Sequence, residues 1–223
     1  MMANMTLLDT SRNLATPQPR NAETSLLDDL NQGTRYAIAF GGQGGPWLDS
    51  LTHIVRRFGA ERELAKLVQQ SDELLAPLTS ELAKVPHAFD VLTWVDAGAL
   101  DESIENVDAP PVPTATELLA PAYSIPGITL TQLLGLSALE RQGLDVRRHR
   151  PAAVIGHSQG ALAVEVVQGI PAIEVLTIAR LIGIAAQIVG ARRNLLGRAM
   201  ISVSNVNPAH VIELLSSIDV HAN

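Results

Sequence analysis

A serine stands at the centre of the segment Gly156–Gly160, which reads Gly-His-Ser-Gln-Gly, and its hydroxyl is a candidate nucleophile. Gly-x-Ser-x-Gly arises by accident in roughly one chain of this length in fifteen, so the flanking sequence has to decide whether the pattern is functional. Residues 152–155 before it are typical of a buried strand, and residues 161–167 after it are typical of an apolar helix. That order predicts a nucleophile elbow, in which Gly156 and Gly160 relieve crowding and Ser158 lies at the helix N-terminus. The alternative is a turn with a structural role only.

A second glycine-rich segment follows the apolar run Tyr36–Phe40, which predicts a buried strand ending in a tight turn. A serine that attacks a carbonyl group needs two N–H donors where the oxyanion forms. The elbow supplies one from Gln159, and we expect the backbone N–H of Gln43 to supply the other. The glycines of this turn are Gly41, Gly42 and Gly44. The alternative is a phosphate-binding loop, but no Lys-Ser/Thr pair follows it and no complete Gly-x-Gly-x-x-Gly is present.

The composition argues against several classes of function. The net charge is −7 and the few basic side chains are scattered, so we expect neither nucleic acid nor a membrane surface as a partner. Cysteine is absent, which excludes thiolate metal sites and disulfides and fits a cytoplasmic protein. The N-terminal residues lack the basic start and unbroken apolar run of a signal peptide.

Hydrophobic periodicity predicts an α/β chain. Apolar residues recur at helical spacing from Leu48 to Val85, with breaks at Gly59 and Pro77. The longest apolar stretch, Ile170–Val189, is interrupted by polar residues, and we expect a buried helix there rather than a membrane span. The other predicted elements are a loop over 96–116, helices over 126–144, 161–167, 173–189 and 208–216, and strands over 152–155 and 199–206.

Three segments together carry a specific resemblance: Phe40–Gly44, Gly156–Gly160 and Met200–Asn205. From Tyr36 to its end, the chain resembles the acyltransferase domain that opens the multifunctional type I fatty acid synthases of mycobacteria and corynebacteria. It is also similar to the acetyltransferase of the fungal β subunit.

The resemblance implies an α/β-hydrolase-like core of the malonyl/acetyl transferase type, with a small ferredoxin-like subdomain inserted. Residues 1–33 are then expected to be a flexible arm, 34–198 an incomplete core and 199–223 the start of the subdomain. The resemblance assigns Ser158 as the nucleophile and Gln43 and Gln159 as oxyanion donors. It places the general-base histidine beyond Asn223, so we expect the chain alone to turn over slowly.

The six histidines of this chain have simpler interpretations than catalysis. His157 is expected to be held inside the elbow, with its ring directed away from the line of attack. The others are expected on helical surfaces, in loops or turns, or in the tail: His53, His87, His149, His210 and His221.

The choice of acyl group depends on one helix. Malonyl-specific members of the wider family hold the free carboxylate with an arginine, and counting from Ser158 without gaps puts that position at Gly183. Glycine cannot pair with a carboxylate, so a neutral acetyl group is expected. Arg180, one helical turn away, is the alternative carboxylate partner if the alignment is displaced.

The resulting hypothesis is an acyl-CoA:acyl-carrier-protein S-acyltransferase that primes fatty acid synthesis through an acyl-Ser158. Its substrates would be acetyl-CoA and the phosphopantetheine thiol of a carrier domain, with no bound cofactor and no metal. Its partners would be the other domains of a synthase, in a large homo-oligomer. Two alternatives stay open: a serine hydrolase or thioesterase that shares the elbow, and a non-catalytic structural piece of a large synthase.

Overall fold

A computed structural model describes residues 6–9, 26–42, 46–78, 89–97 and 113–192. The strands among these residues are β1 (Thr6–Asp9), β2 (Tyr36–Phe40) and β3 (Ala153–Gly156). The helices are α1 (Leu26–Asn31), α2 (Trp47–Phe58), α3 (Glu61–Leu75), α4 (Val91–Ala97), α5 (Pro121–Arg141), α6 (Gly160–Val167) and α7 (Ala172–Arg192). The protein is therefore mixed α/β and mostly helical. The predicted elements over 199–206 and 208–216 lie outside the described residues.

The three strands form one sheet in the order β1-β2-β3. β1 runs antiparallel to β2, whereas β2 and β3 are parallel, in a register that pairs Ala37 with Ala153 and Phe40 with Gly156. Because the two parallel strands end level with each other, the loops that follow them leave the sheet side by side. β1 and α1 both fall within residues 1–33, where a flexible arm is predicted.

The predicted break between the first two long helices is confirmed at Gly59. This residue follows α2 in the left-handed conformation, with φ of 60°. The N–H of Ala60 then donates to the carbonyl of Val55 at 2.9 Å, which satisfies a carbonyl group in the last turn of α2. The chain can therefore turn back at once into α3.

The predicted start of α5 at Pro126 is wrong, because the helix begins at Pro121. Pro121 occupies the first turn, where a missing N–H costs nothing, and Pro126 lies inside the helix. Every residue from 126 to 134 is buried. The stabilisation from packing on all sides of the helix therefore outweighs the loss of the helical hydrogen bond that Pro126 cannot make. The helix ends at Arg141, and Gly143 turns the chain with φ of 107°.

The main hydrophobic core lies between five helices, and β2 packs on a second cluster against α5. The main core is formed by residues of α2, α3, α4, α5 and α7, among them Leu51, Leu64, Val91, Leu134 and Leu176. The second cluster is formed by Leu30, Tyr36, Ile38, Phe40, Leu136, Leu144, Val146 and Ala163. The central helix α5 contributes to both.

The expectation of a buried helix over 170–189 holds for one face of α7 only. Val175, Leu176 and Ala179 are buried, but Ile178 and Ile182 are 47% and 44% exposed. Among the described residues, α7 is the one helix long and apolar enough to cross a membrane by length and composition, with 28% of that stretch buried. A single helix of this kind is weak evidence for a membrane span.

Candidate active site

Ser158 has an unusual backbone conformation. It lies in the turn between β3 and α6 with φ of 54°, and among the described residues it is the one non-glycine residue with positive φ. A side chain in the left-handed region costs about 1–2 kcal/mol. Such strain persists where the surrounding structure imposes it, and it clusters at functional sites. A strand, a strained serine and a helix in direct succession form the geometry of a nucleophile elbow.

Gly156 and Gly160 lie where the backbones around this turn nearly touch. A Cβ atom on Gly156 would lie 2.5 Å from the Cα atom of Ala161, in the first turn of α6. A Cβ atom on Gly160 would lie 2.6 Å from the carbonyl oxygen of Gly41, beyond the end of β2. Both distances are too short for any side chain. The turn is therefore fixed against the helix on one side and against the neighbouring loop on the other.

The loop after β2 lies directly against Ser158. The N–H of His157 donates to the carbonyl of Phe40 at 3.0 Å, which continues the ladder between the parallel strands. A Cβ atom on Gly42 would lie 2.7 Å from Cβ of Ser158 and 2.8 Å from the carbonyl oxygen of His157. The structure thus brings Gly41 and Gly42 to Ser158. Gln43 and Gly44 lie outside the described residues.

The exposed Ser158 hydroxyl donates a hydrogen bond to the side-chain oxygen of Gln159, at 3.1 Å. Gln159 is the last residue before α6, so its backbone belongs to the helix N-terminus. An amide oxygen accepts a hydrogen bond but does not remove a proton at neutral pH. Deprotonation of Ser158 therefore requires a base other than the residue that its hydroxyl contacts here.

The histidines inside the described residues are His53, His149 and His157. His157 is exposed, and its Nδ1 atom lies 3.1 Å from the position that a Cβ atom on Gly42 would take. His53 is exposed on α2. His149 lies in the turn before β3, where its carbonyl accepts a hydrogen bond from the Tyr36 hydroxyl. Burial, with Asp145 nearby, raises the pKa of Tyr36, so this hydroxyl stays a donor.

Gly183 lies at a close contact between two helices. A Cβ atom there would lie 2.6 Å from the carbonyl oxygen of Pro121, at the start of α5. The absence of a side chain is therefore required for α7 to cross α5. An arginine introduced at this position would displace one of the two helices, so that substitution is unsuitable as a test of acyl selectivity. The assignment of Gly183 to selectivity stays a prediction.

Arg180 is buried and already paired. Its guanidinium group lies 2.6 Å from Oδ1 of Asp72, contacts the hydroxyl of Ser71, and stacks 5.5 Å from the ring centroid of Phe89. These contacts join α7 to α3 and to the segment before α4. A guanidinium group held in this way is not available to a substrate carboxylate in this conformation.

We expect removal of Asp72 to destabilise the protein more than removal of its partner. Asp72→Ala leaves the buried Arg180 guanidinium group without its carboxylate acceptor, and the loss of such a charge-assisted hydrogen bond costs about 2–3 kcal/mol. In Arg180→Met the thioether still packs on Phe89, and the carboxylate left behind is 58% exposed, so the loss should be about 1 kcal/mol. Urea denaturation of both variants measures the difference. Equal losses would show that Arg180 is held by packing rather than by its charge.

Two residues that organise the site were not identified from the sequence. Gln132 of α5 donates a hydrogen bond from its side chain to the carbonyl of Gly41. Trp47, at the start of α2, donates from its indole to the carbonyl of Leu118 at 3.1 Å and packs its ring against Gly127. The available signal for Gln132 was an amide inside an otherwise apolar helical stretch, because such residues are buried only when they make specific hydrogen bonds.

No protein-family model and no curated protein matches this chain. Within the described ranges, no group of three or more histidine, aspartate or glutamate residues is placed to hold a metal ion.

Proposed function

We propose that Ser158 is the acylated residue of an acyl-CoA:acyl-carrier-protein S-acyltransferase centre. The observation that carries the proposal is the left-handed Ser158, set between a parallel strand and a helix with the backbone of Gly42 against it. A core of the α/β-hydrolase type is part of the same proposal. The resemblance to the acyltransferase domains of type I fatty acid synthases favours transfer over hydrolysis.

The proposed reaction has two half-reactions. Ser158 Oγ attacks the thioester carbonyl carbon of acetyl-CoA, its proton passes to a general base, and the C–S bond breaks to give an acetyl ester and CoA, whose thiolate takes up the proton. The pantetheine thiol of a carrier then attacks the ester carbonyl and loses its proton to the base. Ser158 leaves and is reprotonated. In each half-reaction a backbone N–H from Gln159 and one from the loop after Gly42 would stabilise the oxyanion.

Acetyl is the acyl group that the site favours. Arg180 is held by Asp72 and Ser71, and the backbone of Pro121 occupies the space where a side chain at position 183 would lie. A malonyl carboxylate bound beside these two positions would have no cationic partner there. We expect acetyl-CoA to load Ser158 at least about tenfold faster than malonyl-CoA, a difference of ~1.4 kcal/mol.

The test is single-turnover loading of the 223-residue chain with excess acetyl-CoA or malonyl-CoA, followed by intact-mass analysis and peptide mapping. We expect an acetyl group on Ser158, which added pantetheine removes as a thioester faster than water removes it as acetate. An adduct at another residue, or none, would overturn the proposal. Release to water that pantetheine does not accelerate would assign a hydrolase instead.

A further inference from the structure

Gln132 is a buried amide in the middle of the apolar helix α5. Its side chain is 7% exposed, and all its neighbours from 126 to 134 are buried as well. Its Nε2 atom donates to the carbonyl of Gly41, the first residue after β2. Its Oε1 atom is buried and has no hydrogen-bond partner among the described residues. A buried amide is retained where it makes a specific hydrogen bond, and the hydrogen bond that Gln132 donates goes to the loop beside Ser158.

We propose that Gln132 is a positioning residue, which orients the Gly41-Gly42 peptide so that the loop presents its N–H groups to the oxyanion formed at Ser158. This inference rests on the proposed acylation of Ser158. It adds a residue from a different element, α5, to a site otherwise built from the ends of β2 and β3.

The geometry of a single peptide links Gln132 to the nucleophile. The described chain contains no cis peptide bond, so the carbonyl of Gly41 and the N–H of Gly42 point in opposite directions. When Gln132 holds the carbonyl, it also fixes the direction of that N–H, away from α5. Gly42 is at the same time pressed against Ser158 and the carbonyl of His157. The orientation of the Gly41-Gly42 peptide therefore sets the direction in which the chain continues after Gly42.

The far side of this loop is held by the same helix. The Thr131 hydroxyl lies 3.3 Å from the carbonyl oxygen of Trp47 and 2.8 Å from that of Gly127. The Trp47 ring packs against Gly127. Helix α5 thus contacts the chain both before and after residues 43–45. Within this arrangement, Gln132 holds the carbonyl of Gly41, the residue before Gly42, and Thr131 contacts the start of α2.

The variants that isolate this role are Gln132→Met and Gln132→Glu. Methionine keeps the length of the side chain without a donor. Glutamate, assayed at a pH above its burial-raised pKa so that it is ionised, keeps the shape of glutamine as an acceptor only. The matched control is Thr129→Val, three residues before Gln132 on the same helix. Thr129 is equally buried on α5, but its hydroxyl donates to the carbonyl of Ile125 within the helix, at 2.9 Å.

The kinetic readout is the acylation rate of Ser158 in the full chain, with acetyl-CoA and with p-nitrophenyl acetate as donors. A displacement of about 1 Å at a reacting group can cost about 10²-fold in rate. At saturating donor we expect the acylation rate of both Gln132 variants to fall by that order. The concentration of acetyl-CoA that gives half of the maximal rate should change less than about threefold. Thr129→Val should acylate at the rate of the unmodified chain.

The structural readout does not depend on catalysis. The sequence contains two Gly-Gly pairs, Gly41-Gly42 and Gly44-Gly45. Glycine labelled with ¹³C at the carbonyl and ¹⁵N at the amide therefore gives carbonyl-to-amide correlations from these two pairs alone. The Gly41 carbonyl resonance should move upfield in both Gln132 variants, because it loses its donor, and should stay in place in Thr129→Val.

The outcomes separate the inference from the proposed function. If the unmodified chain is acetylated by the ester but not by acetyl-CoA, the transferase proposal fails, while a loss of ester reactivity in the Gln132 variants still supports the positioning role. Wild-type acylation rates in Gln132→Met and Gln132→Glu would overturn the inference, as would an unchanged Gly41 carbonyl resonance. If the Gln132 variants and Thr129→Val lose rate equally, the effect is general destabilisation and the inference is also wrong.

Discussion

Ser158→Gly should abolish the acyl adduct and at the same time raise the free energy of unfolding by up to about 1 kcal/mol. The adduct is lost because the Oγ atom is gone. The stability gain follows from the backbone, since φ of 54° is strained for serine and ordinary for glycine. Ser158→Ala should also abolish the adduct, but it keeps a Cβ atom in the left-handed region and should leave stability nearly unchanged. Intact-mass analysis and urea denaturation of the same samples measure both effects.

The matched control for this prediction is Gly33→Ala. Gly33 has φ of 97°, and a Cβ atom there would meet nothing within 4 Å. The substitution therefore adds the backbone cost of a side chain at positive φ without a clash. It should lower stability by about 1 kcal/mol and leave acylation intact. A Ser158→Gly variant that is less stable than the unmodified chain would contradict the strain assigned to the turn, even if the adduct is lost.

The local order of elements around Ser158 could be predicted from the sequence because it depends on neighbouring residues. The run Tyr36–Phe40 and the segment 153–156 form strands, and helices follow Ser158 and Pro171 as the periodicity indicates. The prediction that the second strand is buried is wrong, because Ile155 is 53% exposed. The φ angle of Ser158 could not be predicted, since it also depends on the contacts of this turn with the loop after β2, where Gly42 lies against Ser158 and Gly41 against Gly160. A serine pattern indicates the turn, whereas tertiary packing imposes the strain.

Contacts between distant segments account for what the sequence missed. Ser71 and Arg180 are separated by 109 residues, and nothing in either segment identifies the other as its partner. The hydrogen bond from Gln132 to Gly41 spans 91 residues in the same way. Helix α4 is too short to show a repeated apolar pattern in the sequence, and its Val91 and Trp94 are buried by contacts with other helices. In each case, the side-chain type indicates a need for a partner but not which partner meets it.

Gly42→Ala should reduce the rate of Ser158 acylation by about 10²-fold or more, with a smaller effect on folding. The new Cβ atom would lie 2.7 Å from Cβ of Ser158 and 2.8 Å from the carbonyl oxygen of His157. Neither atom can move aside by rotation of a flexible side chain, because one is fixed to the strained backbone and the other is part of it. The loop after β2 must therefore retreat by roughly 1 Å, which removes its N–H groups from the oxyanion position.

The control for this loss is Gly135→Ala on α5, where the nearest atom to a new Cβ is Cδ1 of Ile54 at 3.7 Å, an ordinary contact. Alanine favours the helix by up to about 1 kcal/mol, so this variant should be as stable as the unmodified chain or more so, and acylate at the same rate. Single-turnover loading with acetyl-CoA compares the three proteins. If Gly42→Ala is acylated at the unmodified rate, the loop after β2 does not supply an oxyanion donor. The second N–H must then come from another segment, and the positioning role of Gln132 fails with it.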